Sequence, residues 1–91
     1  MKLKELFDKP HKWTRQLYAR KEDGHGITAD SDEAVCWCLM GGIFRCYPDA
    51  QKQRELELRL GLHLGQHPIN WNDTKGRTFE EVKALVEELD I

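Results

Sequence analysis

From Ala34 to Phe44 the chain reads Ala-Val-Cys-Trp-Cys-Leu-Met-Gly-Gly-Ile-Phe with no charged or strongly polar side chain. This run constrains the fold more than any other stretch. Asp30 and Glu33 precede it with the spacing of a helix start. Asp30 as N-cap places Glu33 at N3, where the two side chains satisfy amide groups that a first turn leaves free. The pattern predicts a helix over about 30–47. At 100° per residue its apolar side chains point in every direction, with Trp37, Met40 and Phe44 on one face and Val35, Leu39, Gly42 and Cys46 on another. A helix apolar all round is buried by neighbours on several sides, and Arg45 interrupts this one too soon for it to span a bilayer. The expectation is a buried central helix.

A chain of 91 residues makes one domain, able to bury somewhat over ~60% of its unfolded surface without a metal or disulfide staple. In its N-terminal MKLKELFDKP charges interrupt the apolar residues, so neither a signal-peptide core nor a membrane anchor is expected. The expected location is the cytoplasm. Three cysteines, an odd number, fall in the most apolar stretch, as reduced thiols packed like small hydrophobes do.

Charge is unevenly spread. Residues 1–21 hold Lys2, Lys4, Lys9, Lys12, Arg15, Arg20 and Lys21 against Glu5 and Asp8, a net of +5, whereas residues 22–91 carry −7. A basic end on an acidic body suits contact with an acidic protein or with nucleic acid, and it equally suits a solvated face. Lys9, Lys12, Arg15, Arg20 and Lys21 are the candidate contact residues.

Leu3, Leu6 and Phe7 mark a short amphipathic helix that ends before Pro10. Residues 12–28 allow either a helix, through Trp13 and Leu17, or a hairpin that turns at Asp23-Gly24 and returns along Ile27-Thr28. Leu56, Leu58, Leu60, Leu62 and Leu64 alternate as in a strand, but the Gln, Arg, Glu and Leu around them favour helix. Helix is expected, with a second apolar face to be covered. Residues 65–76 read as an anchored loop with Ile69 and Trp71 plugging the core. Thr78 with Glu81 makes a capping box ahead of the stripe Phe79, Val82, Leu85, Val86 and Leu89. The fold class expected is mainly α, a small helical bundle around the central helix, with room for a short N-terminal hairpin.

Few residues suggest reaction chemistry. Cys36, Cys38, His63 and His67 invite a zinc site, but the two cysteines would point about 200° apart on a helix and no C-x-x-C spacing is present. A cysteine nucleophile with a histidine base and Asp73 needs an exposed thiolate in a positive environment, which an apolar helix does not provide. Gly41-Gly42 lacks the Lys-Ser/Thr of a phosphate loop. Two glycines inside a helix cost about 1 kcal/mol each, which points instead to close packing against a bulky neighbour such as Trp13 or Trp71. Asp30, Asp32, Glu33 and Asp73 form an acidic set of which capping and turn closure already explain three. No metal or cofactor is expected.

In order, Trp13-Thr14, Ala19-Arg20, Ala34 to Cys38 with Gly41, Trp71-Asn72-Asp73, and Arg77-Thr78 to Glu81-Val82 resemble a family of small bacterial and phage proteins catalogued as a domain of unknown function. The resemblance runs from about residue 12 to the end. It departs at Gly42, where alanine is expected, and it implies no activity and no catalytic residues.

The functional expectation is a non-catalytic accessory protein that binds a macromolecule, carried by a phage or mobile element; inhibition of a host defence nuclease is one concrete form. A protein partner is expected and no membrane. The alternatives are nucleic-acid binding by the basic N-terminal segment, a small enzyme with a Cys/His site, and a homodimer through the leucine-rich helix.

Overall fold

Residues 34–38, expected inside the helix over about 30–47, are not helical, and Cys36–Trp37 is a strand instead. The structure is a computed structural model describing Met1 to Ile91, and in it the two-residue strands β1 (Ala19–Arg20) and β2 (Cys36–Trp37) pair antiparallel, Ala19 opposite Trp37 and Arg20 opposite Cys36. Val35 N–H donates to Arg20 O at 2.9 Å and Cys38 N–H to Tyr18 O at 3.2 Å. On the other side Thr14 N–H donates to Trp37 O at 3.0 Å. These amides therefore have partners that a helix would have denied them, and Val35 and Trp37 are of the types that favour extended backbone. Asp30 and Glu33 do not form a capping box. They lie in turns where Ser31 Oγ accepts from Glu33 N–H at 3.1 Å.

The helix begins late. Helix α1 covers Leu3–Leu6, and helix α2, Leu39–Cys46, starts from Cys38, whose Sγ accepts from Gly41 N–H at 3.3 Å. Leu39, Met40, Gly41, Gly42 and Ile43 are all buried, and α2 packs on α1 and on two later helices, α3 (Ala50–Leu64) and α4 (Pro68–Asp73). Its glycines do not face Trp13 or Trp71. A Cβ on Gly41 would lie 1.8 Å from Tyr18 O, and one on Gly42 would lie 2.6 Å from Leu3 Cδ2 and 3.0 Å from Phe7 Cζ. Gly41 thus lets the chain before β1 press its backbone against the start of α2.

The alternating leucines form helix α3. Asp49 caps it by accepting from Gln51 and Lys52 N–H, and Gly65 ends it with φ 71°. Leu56 and Leu60 are buried, while Leu58 and Leu62, 62% and 86% exposed, lie on the uncovered face. The stretch expected as an anchored loop contains α4, started by Pro68 at its first position with the His67 side chain accepting from Ile69 N–H. Helix α5 (Phe79–Leu89) carries the expected Thr78–Glu81 capping box and buries Val82, Leu85 and Val86. Lys4 N–H donates to Ile91 O at 2.9 Å, tying the two ends together.

About half the chain is helical, so mainly α holds at that coarse level. Residues 12–28 are not helical beyond the 3-10 turn Pro10–Lys12. Arg20 bridges to Gly26, and Ile27 N–H donates to Ala19 O at 3.1 Å, so the segment does fold back on itself; β1 then takes β2 as its second neighbour. The radius of gyration, 11.9 Å, matches the ~12 Å of a compact chain of this length and leaves no space for a second lobe. No helix is long and apolar enough to cross a membrane.

Candidate interaction surface

Between the 3-10 turn and β1 the chain has no regular structure, so its backbone groups must find partners elsewhere. Two of them, Thr14 O and Gln16 N–H, find theirs on α4. Asn72 is 0% exposed and uses its whole amide: Oδ1 accepts from Trp13 Nε1 at 2.7 Å and from Leu39 N–H at 3.2 Å, while Nδ2 donates to Thr14 O at 3.2 Å and to Asp73 Oδ1 at 3.0 Å. One side chain thereby locks residues 13–14, the start of α2 and α4 together. Asp73 Oδ1 also accepts from Gln16 N–H at 2.9 Å. Arg15 Nη2 donates to Asp73 O at 2.8 Å and Thr74 O at 3.0 Å, satisfying carbonyls that the end of α4 leaves open.

Pinned from both sides, Gln16 adopts φ 74°. For a residue with a Cβ, the left-handed region costs about 1–2 kcal/mol and persists where surrounding contacts over-determine it. Gln16, Leu17 and Tyr18 are exposed in succession, Leu17 by 39% and Tyr18 by 49%. The Tyr18 ring is held edge-on to Phe44 with centroids 5.3 Å apart.

Gln16 is a ridge between two hollows. One, about 270 Å³, is a mostly apolar cleft lined by Leu17, Tyr18, Cys38 and Ile69 together with Asp73. The other, about 460 Å³ and more open, is lined by Trp13, Thr14, Arg15 and Arg20. Arg20 donates to Thr14 Oγ1 at 2.8 Å, Gly24 O at 2.9 Å and Arg15 O at 2.9 Å. Both guanidinium groups therefore bond only to neutral acceptors, and neither enters any of the ion pairs of the molecule. Arg15 Nε is shut away from water with no partner.

Of the five basic residues singled out from the sequence, only Arg15 and Arg20 share a hollow. Lys9 is exposed before the 3-10 turn. Lys12 pairs with Asp8 at 3.5 Å and borders a different hollow beside His11 and Trp37. Lys21 lies among Glu22, Asp23, Asp32 and Glu33. Four of these five basic residues thus border three different hollows.

The remaining chemistry-bearing residues are dispersed. No group of three or more His, Cys, Asp or Glu residues could hold a metal ion. His63 faces Glu88 at 3.7 Å, and His67 Nε2 sits 2.7 Å from Glu57 on another part of α3. Burial pushes the Cys38 thiol up, and pushes that of Cys46 up to about 11. Cys38 lines the apolar cleft with Asp73, and no histidine lines it.

Gln16 had no distinguishing signal in the sequence, and Asn72 stood out only as part of the Trp71-Asn72-Asp73 motif, with no functional role attached. Asn72 read as a turn-closing residue, and left-handed backbone at a glutamine is not visible from residue type. Leu17 and Tyr18 could have been found as large apolar residues left over once Trp13 was assigned to the interior.

No curated protein and no solved structure matches the chain. A family model does match it over residues 3–89, and the chain belongs to that family, described as a family of unknown function (DUF6197).

Proposed function

We propose that this protein is a non-catalytic binding module whose contact face is the Gln16–Tyr18 ridge with its two flanking hollows. The observation that carries the reading is Gln16 itself, an exposed residue at φ 74° held there by Asp73. Strain at a surface loop beside exposed apolar side chains suits a pre-organised contact, because rigid groups lose less entropy on binding. The cysteines argue in the same direction: burial disfavours the thiolate that nucleophilic chemistry needs.

A benzophenone amino acid placed at position 17 in cells that express the protein tests this. The expected result is a discrete protein adduct, competed by unmodified protein and absent when the same group replaces the exposed Leu62. No adduct at position 17, or adducts from both positions alike, would overturn the assignment of this face. Self-association through Leu58 and Leu62 is a competing use of a different surface, and it predicts a dimeric mass by light scattering that Leu62→Ser returns to that of a monomer.

A further inference from the structure

Resting on the binding-module reading, we propose that the Gln16 ridge seats one extended segment of a partner protein. An aspartate or glutamate of that segment engages Arg15 and Arg20, and an apolar side chain one or two positions along fills the cleft walled by Leu17, Tyr18, Cys38 and Ile69.

The arginine side follows from counting donors. A guanidinium has five N–H groups. Arg20 uses three on Thr14, Gly24 and Arg15, and Arg15 uses Nη2 on two carbonyls. Apart from the enclosed Arg15 Nε, Arg15 Nη1 and one hydrogen on each Arg20 Nη remain. These donors belong to side chains already held in place by neutral acceptors, and neither guanidinium has an ion-pair partner. A carboxylate matches that fork in charge and in planar geometry.

The cleft side follows from its lining and size. About 270 Å³ holds a single large aliphatic or aromatic side chain, and Cys38 and Ile69 offer it apolar contact. Asp73 fixes the direction of the segment. Its Oδ1 is engaged by Gln16 N–H and Asn72 Nδ2, so a carboxylate lines the otherwise apolar cleft and repels an acidic side chain there. The acid goes to the arginines and the apolar group to the cleft.

A polyanion fits less well. Glu22, Asp23, Asp32 and Glu33 surround Lys21, and residues 22–91 carry −7. A phosphate polymer would meet this field along its length, whereas a single carboxylate need not.

The test is selection of displayed random octapeptides on the full-length protein, followed by binding measurements with the enriched peptides. The expected result is enrichment of Asp or Glu one or two positions from Leu, Ile, Met or Phe. Replacing that acid by its amide in the peptide should weaken binding about tenfold or more, as should the surface change Leu17→Ser, with the thermal midpoint of the protein unchanged. Peptides with no acidic preference that still lose binding with Leu17→Ser overturn the ligand class but leave the binding face standing. Acidic peptides indifferent to Leu17→Ser, or no enrichment at all, overturn the site; the crosslink from position 17 then reports separately on the binding-module reading. Salt-sensitive binding of single-stranded oligonucleotides that an acidic peptide cannot displace would assign the arginines to nucleic acid instead.

Discussion

Trp13 and Asn72, 59 positions apart, are joined by a 2.7 Å hydrogen bond from the indole Nε1 to the side-chain oxygen. The bond matters because Asn72 is wholly buried and has no spare donor or acceptor with which to reach water. Trp13→Phe removes one donor and leaves the oxygen still paired with Leu39 N–H, so a loss of about 1 kcal/mol is expected. Asn72→Leu orphans Trp13 Nε1, Leu39 N–H and Thr14 O together and should cost about 3 kcal/mol or more. Urea unfolding of both variants and of the double variant checks this. Strict additivity of the two losses would show that the pair is not coupled.

The adjacent glycines of α2 are expected to behave differently. At Gly41 an added methyl meets Tyr18 O, a backbone atom held by the β1–β2 pairing, at 1.8 Å. At Gly42 it meets the ends of two side chains, Leu3 and Phe7. Gly41→Ala should therefore cost about 3 kcal/mol or more. Gly42→Ala gains about 1 kcal/mol of helix propensity against a repacking that Leu3 can supply, so it should stay within about 1.5 kcal/mol of wild type. Thermal midpoints of the two variants decide it, and equal losses would refute the distinction.

That contrast also explains what could be read from residues alone. Helix α5 was legible because its capping box and its apolar stripe are both local, and α3 because caps at Asp49 and Gly65 agree with the propensities of Gln, Glu and Leu against the alternating pattern. The start of α2 was not legible. Asp30 and Glu33 have the spacing of a capping box, yet residues 35–38 pair with backbone from residues 18–20, and no local pattern announces a partner that far away. The proposed contact surface was legible only in part. Arg15 and Arg20 stood out by charge, but their union depends on the turn through Gln16, and their separation from Lys12 and Lys21 depends on how β1 runs.

Cysteine reactivity follows from burial. With its pKa pushed from 9.0 up to about 11, Cys46 holds about a hundredfold less thiolate at pH 8 than an ordinary thiol. Cys38 is 4% exposed and shifted in the same direction for the same reason. Ellman's reagent should therefore modify both far more slowly in the native protein than in denaturant, with peptide mapping to assign each site. Rapid native labelling of Cys38 would open the apolar cleft to nucleophilic chemistry and count against a non-catalytic reading.

Asp90 collects two ammonium groups. Lys2 Nζ lies 3.1 Å from its Oδ1, and Lys4 bonds the same oxygen. The hydrogen bond from Lys4, followed by that from Lys2, holds the Asp90 carboxyl below its ordinary 3.8, and the bond to Asp90 raises Lys4 above its ordinary 10.5. The signs define a window. A depressed carboxylate contributes stability that is present above its unfolded value and is lost as pH falls through the folded one; a raised lysine contributes below its unfolded value and loses this as pH rises through the folded one. The cluster therefore acts between about pH 4 and about pH 10. All three groups are exposed, so the contribution is small and weakened by salt. Asp90→Asn is the informative change because asparagine tolerates the left-handed φ of 54° at this helix end. At pH 7 and low salt the variant should unfold at slightly lower urea than wild type, and the two curves should converge at about pH 2, where the wild-type carboxyl is also protonated. A difference that persists unchanged at acid pH would assign the role of Asp90 to backbone geometry and not to its charge.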